Sequence, residues 1–103
     1  MTKYTIYCGL NDKDTQNQII NTDCRLQIAK NIVVTTIGYG TISLASGVYT
    51  MNADKMVISE NTIRIELCDI SVKQIQALCI QLKDAFNQES VLIEKTEIDS
   101  LYF

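Results

Sequence analysis

The order of strand and helix signals along the 103 residues predicts an α+β domain of ferredoxin-like type. In this split βαβ order (β-α-β-β-α-β, with a β-hairpin insert) the antiparallel sheet carries both helices on one face. Three observations predict it. An alternating strand, Thr62-Ile63-Arg64-Ile65-Glu66-Leu67, stands directly before a strongly capped helix. A similar alternation, Tyr4-Thr5-Ile6-Tyr7-Cys8, opens the chain before a turn and a weaker helical stripe. Proline is absent and no linker or repeat interrupts the pattern, so residues 1–103 read as one domain, with 94–103 as an acidic, apolar-ended tail.

The first strand runs from about Lys3 to Cys8, with Tyr4, Ile6 and Cys8 on one face. The turn Gly9-Leu10-Asn11-Asp12-Lys13-Asp14-Thr15 follows it. Thr15 and Gln18 have capping-box spacing, so a helix is expected from about Thr15 to Lys30, with Ile20, Cys24 and Ile28 as its stripe. Ile32-Val33-Val34-Thr35-Thr36-Ile37 is β-branched throughout and reads as a strand, bent at Gly38-Tyr39-Gly40. Ser46-Gly47 reads as a turn. Val48–Met51 and Met56–Ile58 flank Asn52-Ala53-Asp54-Lys55 like a small hairpin. In the second helix Ser71 and Gln74 make a capping box and Ile70 and Ile75 a hydrophobic staple. Its stripe is Ile75, Leu78, Cys79, Leu82 and Phe86, ending near Asn87. Val91-Leu92-Ile93 starts the last strand.

Composition excludes several chemistries. With no histidine, the common neutral-pH base and the Ser and Cys triads are missing. No GxGxxG, phosphate-loop lysine or nucleophile elbow occurs. The four cysteines, Cys8, Cys24, Cys68 and Cys79, form no CxxC pair and read as buried thiols, with a Cys8–Cys24 disulfide as the alternative. No metal or other cofactor site is expected. A net charge of −3 argues against direct nucleic-acid binding, and the clean strand has one Arg and no aromatic, unlike an RNA-binding face. No apolar stretch approaches the roughly 20 residues of a membrane helix, and a cytoplasmic location is the default.

Asp12 and Asp14 are candidate acid–base or cation-binding groups, but carboxylates there suit the start of a helix. The polar sheet face would hold Lys3, Thr5, Tyr7, Thr62, Arg64 and Glu66, with Tyr39 or Tyr49 nearby as a contact surface. Acidity is concentrated toward the C-terminus. Glu89, Glu94, Glu97, Asp99, Leu101, Tyr102 and Phe103 are therefore the candidate partner-binding residues, unless the terminal segment folds over the core instead.

The opening from Tyr4 to Thr15, with Gly38-Tyr39-Gly40 and Ile63-Arg64-Ile65-Glu66, resembles small proteins carried by phages and plasmids. Some of these are similar to anti-CRISPR proteins, inhibitors of type II systems. The resemblance implies a non-enzymatic inhibitor that binds a Cas9-type nuclease or its guide RNA complex, and it assigns no individual binding residue. The alternative is an oligomeric small-ligand-binding regulator, a homodimer being the simplest form. Its pocket would lie between subunits, at Asn11–Asp14 and the Gly38–Gly40 bend. An enzyme using Asp12 and Asp14 stands third.

Overall fold

A computed structural model describes residues 1–50, 53 and 55–100. The elements are β1 (Thr2–Gly9), α1 (Thr22–Thr36), β2 (Thr41–Thr50), β3 (Val57–Cys68), α2 (Val72–Ala85) and β4 (Leu92–Glu97). The four strands form an antiparallel sheet in the order β2-β3-β1-β4, with both helices against it. This is the expected ferredoxin-like α+β arrangement.

The core lies between the sheet and the helices. Alternation along β1 and β3 sends Tyr4, Ile6 and Cys8, and Ile63, Ile65 and Leu67, to the helix side. Ile75, Leu78 and Leu82 of α2 and Ala29 and Val33 of α1 close over them. Phe86, just past α2, is fully buried. Each Ile, Leu, Val or Phe among them contributes about 1.5–3 kcal/mol on leaving water.

Helix α2 forms as its sequence predicts. Ser71 Oγ accepts from Gln74 N at 3.2 Å, and Gln74 Oε1 accepts from Ser71 N at 3.1 Å. Ile70 and Ile75 are both buried.

Helix α1 departs from expectation at both ends. It starts at Thr22, where Asn21 Oδ1 accepts from Cys24 N at 2.8 Å. Residues 15–18 lie in the preceding loop. Ile20 and Cys24, expected in the stripe, are exposed, and the inward positions are Arg25, Ala29 and Val33. The β-branched run expected as a strand, Ile32–Ile37, forms the last part of this helix to Thr36 and its C-cap, Ile37. Its propensity penalty is only a few tenths of a kcal/mol per residue. Burying Val33, with Ile32 and Ile37 packed at the core margin, outweighs that penalty. The helix stops at Gly38, whose φ of 106° is a left-handed conformation suited to glycine, with Gly38 N donating to Val33 O at 3.0 Å. Gly38-Tyr39-Gly40 is thus a helix stop rather than a bend within a strand.

The expected hairpin insert is part of the main sheet. β2 pairs with β3 continuously from Thr41↔Glu66 to Thr50↔Val57. Ser46-Gly47, expected as a turn, lies mid-strand with Gly47 opposite Glu60. Met51, Asn52 and Asp54 of the expected hairpin lie outside the described residues. The paired strands project beyond the helices as an arm and leave Leu44, Val48 and Val57 exposed, in a molecule extending 49 × 25 × 23 Å. β4 continues the sheet to Glu97, so the acidic stretch expected as a tail begins inside a strand.

Candidate functional site

The register of β1, β3 and β2 brings a set of side chains to one end of the sheet, on the face away from the helices. Gly9 lies opposite Thr62, Gly47 opposite Glu60, Tyr49 opposite Ile58 and Tyr7 opposite Leu92. Tyr7, Gly9, Tyr49, Glu60, Thr62 and Leu92 therefore share the open face. With the β1–α1 loop (Asn11, Asp12, Lys13, Gln16) and the α2–β4 loop (Gln88, Glu89, Ser90) they line an open cavity of about 380 Å³. That size lies within the ordinary range for small-molecule sites.

Glu60 lies across the floor. A Cβ on Gly9 would collide with its carboxyl group, so the missing side chain at position 9 makes its place. Asn11 N donates to Glu60 Oε2 at 2.9 Å. This puts a negative charge against the backbone of β1, close to two tyrosines.

The β1–α1 loop is a hydrogen-bonded structure of its own. Asp12 Oδ2 accepts from Asp14 N at 2.9 Å and Thr15 N at 3.1 Å. Gln16 N donates to Asp12 O, and Asp12 N donates to Asn17 O, both at 2.8 Å. The α2–β4 loop clamps it. Asn87 Nδ2 donates to Asp12 Oδ1 at 2.6 Å and Asp14 Oδ2 at 2.9 Å, and Gln88 Nε2 donates to Asn11 O at 2.6 Å. The Asn87 hydrogen bond, joined by the two backbone amides and the charge of Arg25, holds the Asp12 carboxyl below its ordinary range. The Asp12–Asp14 pair therefore does not begin a helix, as the sequence led us to expect. It braces the pocket wall, eight residues or more before α1.

Below the pocket, the open face carries an ionic ladder. Lys3 Nζ meets Glu66 at 2.8 Å, Arg64 meets Glu66, and Arg64 Nε donates to Tyr7 Oη at 3.3 Å. Lys3 is the main cause that lowers the Glu66 pKa. The face is polar, as expected, and largely paired.

The candidate partner-binding residues do not form one surface. Glu89 is exposed at the pocket rim. Glu94 and Glu97 are exposed on β4, three residues apart on a strand and so on opposite sheet faces. Glu97 Oε1 accepts from Thr2 Oγ1 at 2.6 Å. Asp99 is exposed beyond β4, and Leu101, Tyr102 and Phe103 lie outside the described residues. The Gly38–Gly40 segment borders a separate apolar groove with Val33, Val34 and Ile42, far from Asn11–Asp14 in the sheet order.

Cys8 is buried and its thiol is pushed up to about 12 by desolvation, so it is inert as a nucleophile. Cys24, expected to be buried, is exposed, and all four cysteines are free. Among the described residues no three His, Cys, Asp or Glu converge as metal ligands, and no helix is long and apolar enough to cross a membrane.

Sequence reasoning passed over Glu60 and Gln88. Glu60 follows a weakly patterned stretch, and nothing near it in sequence points to Gly9. Only the β1–β3 pairing makes them neighbours.

No protein-family model and no curated protein matches the chain. Solved structures do. A phage SAM lyase in complex with S-methyl-5'-thioadenosine matches with a TM-score of 0.68 and 25% identity, over 93% of this chain and 80% of that one. The periplasmic divalent cation tolerance protein CutA from Archaeoglobus fulgidus matches with a TM-score of 0.58 and 8% identity, over 99% and 88%. The GlnK–ATP complex of B. subtilis matches with a TM-score of 0.54 and 10% identity, over 93% and 84%. The last two share the fold. The first overturns the expectation of a non-enzyme, because the similar protein is an enzyme. Together these structures place the chain among ferredoxin-like folds.

Proposed function

We propose that this chain acts on S-adenosylmethionine and releases S-methyl-5'-thioadenosine at the pocket over Gly9. The observation that carries the reading is the likeness to a SAM lyase holding that compound, across nearly the whole chain. The pocket supports it by its size, its two tyrosines and the Glu60 carboxylate.

The substrate carries a sulfonium and an α-ammonium, both positive. Release of the thioadenosine breaks the bond between sulfur and the γ-carbon of the aminobutyrate arm. The electron pair goes to sulfur, which becomes neutral. Without water, the γ-carbon is satisfied by the substrate's own carboxylate oxygen, closing a lactone, or a β-proton passes to that carboxylate as base and an alkene forms. A carboxylate against the sulfonium would favour the ground state, where the charge is whole, over the transition state, where it is dispersing. The α-ammonium keeps its charge throughout. Glu60 therefore serves best as the ammonium's partner, an attraction of about 4 kcal/mol before desolvation for a pair about 4 Å apart near a protein surface. Tyr49 offers a ring face to the adenine or the sulfonium, while the Tyr7 ring already lies under the Arg64 guanidinium, 5.8 Å from its centre.

The same reading includes association of copies through the projecting β2–β3 arm, whose Leu44, Val48 and Val57 are exposed. Light scattering tests it, and a monomer at all concentrations removes it.

The decisive assay incubates the protein with S-adenosylmethionine and follows S-methyl-5'-thioadenosine by chromatography. The expected result is time-dependent product, with KM raised about 10- to 100-fold and kcat little changed in Glu60→Gln, because a partner of the unchanging ammonium binds ground state and transition state alike. Absence of product from the wild type defeats the proposal. The inhibitor reading rests on its sequence resemblance, and unimpaired cleavage by Cas9-type nucleases in the presence of the protein sinks it.

A further inference from the structure

The pocket wall depends on a residue outside it. The Asn11–Gln16 loop crosses the sheet end without belonging to a helix or strand, so something must hold it. Two of its carboxylates, Asp12 and Asp14, converge on a single amide. An Asn side chain has two N–H donors, and here each serves one carboxylate. Its backbone takes part as well, since Lys13 N donates to Asn87 O at 3.1 Å. Asn87 has a φ of 48°, in the left-handed region that Asn and Gly tolerate better than other residues.

We infer that Asn87 is the positioning residue of the pocket, seating the Asn11–Gln16 loop over Glu60 by donating to both Asp12 and Asp14. Without that amide, two neighbouring carboxylates face each other with no donor between them. Arg25 from α1 and Lys13 on the loop are the cations near them. Arg25 is committed elsewhere, its Nη1 donating to Ala85 O at 2.8 Å. The loop in turn presents Asn11 N, which holds the Glu60 carboxylate in place. The chain of contacts therefore runs from Asn87 through Asp12 and Asn11 to Glu60. The ligand side of this inference rests on the proposed action on S-adenosylmethionine, whereas the loop side stands without it.

Substitutions at position 87 separate the amide from the backbone conformation. Glycine keeps the left-handed φ and removes the donor. Aspartate also tolerates that φ but adds a third carboxylate. The measurements are amide hydrogen exchange of residues 12–17 relative to β1 and β3, and calorimetric affinity for S-methyl-5'-thioadenosine. Asn87→Gly is expected to speed exchange at Asp14 and Thr15 by about tenfold, the size of one charge-assisted hydrogen bond, and to weaken the thioadenosine by a similar factor. Asn87→Asp is expected to do more. The double variant D12N/N87D exchanges donor and acceptor at position 12 but leaves Asp14 facing the new carboxylate, so it recovers only the Asp12 part of the loop protection lost in Asn87→Asp. If Asn87 only supplies a left-handed backbone, both single variants match the wild type in loop exchange, and the inference falls. Loop exchange read against the core decides this even where overall stability drops. A wild type that binds no thioadenosine counts against the proposed function alone, because the exchange data still judge Asn87.

Discussion

The two helices lie side by side on the same sheet, yet they arise in opposite ways. Helix α2 is specified locally, with a reciprocal cap, a staple and an apolar stripe at 3.6-residue spacing. Helix α1 has a polar N-terminal half, an Arg on its inward face and a β-branched C-terminal half. Nothing in that β-branched half favours a helix there. It forms because the sheet has an uncovered apolar face and Ala29, Val33 and Ile37 fill it. The difference teaches that a helix can be imposed by the surface it covers, and that such a helix is anchored by its partner.

The anchor lies at the end of α2. Phe86 is fully buried, the Arg25 guanidinium stacks over its ring at 5.0 Å, and Arg25 Nη1 takes the Ala85 carbonyl. Phe86→Ala therefore has the largest expected effect, a loss of about 3–5 kcal/mol in denaturant unfolding. A loss below about 1 kcal/mol would break the idea that this ring joins the helices. Arg25→Ala comes next, at about 1.5–3 kcal/mol, since it removes a charged donor from a helix C-terminus. A neutral result would mean that burying the guanidinium, whose Nε has no partner among the described residues, costs as much as its contacts return.

The caps sharpen the comparison further. Ser71→Ala removes half of a reciprocal box and is expected to cost about 1–2 kcal/mol, against about 0.5–1 kcal/mol for Asn21→Ala. Equal losses would show that α1 needs its cap as much as α2 does. The smallest effect is on pH dependence. Asp12 has a folded pKa below its ordinary value of 3.8, so its contribution to stability is present above that value and is lost as pH falls through the folded one. Asp12→Asn is expected to flatten the acid limb of the melting curve. An unchanged limb would free the pocket loop from this carboxylate.

Much of the fold was legible because its signals are short-range. The alternation of Ile63, Ile65 and Leu67, the Ser71–Gln74 box and the α2 stripe each lie within one element. The β-branched run Ile32–Ile37 misled because local propensity is worth tenths of a kcal/mol while burial is worth several times more. Ser46-Gly47 misled because a turn pair can also sit inside an edge strand when its partner strand runs alongside, as β3 does.

The candidate site was the least legible part. The opening turn from Gly9 to Thr15 is visible as a break between strand and helix, and Tyr7 and Tyr49 stand out as aromatic residues on a polar face. Glu60 and Asn87 carry no local mark, since each acts on a residue tens of positions away.

By itself the sequence determined the element order, the core face of β1 and β3, the whole of α2 and the absence of histidine chemistry. These follow from periodicity, capping and composition, all read over a few residues. The tertiary structure alone decided that Ile32–Ile37 is helical, that β2 and β3 form one long arm, and that Gly9, Glu60, Tyr49 and the Asp12–Asn87 clamp meet at one end of the sheet. The physical reason is that strand register and loop closure couple residues far apart in the chain, and no local pattern encodes which distant carboxylate will lie over a bare glycine.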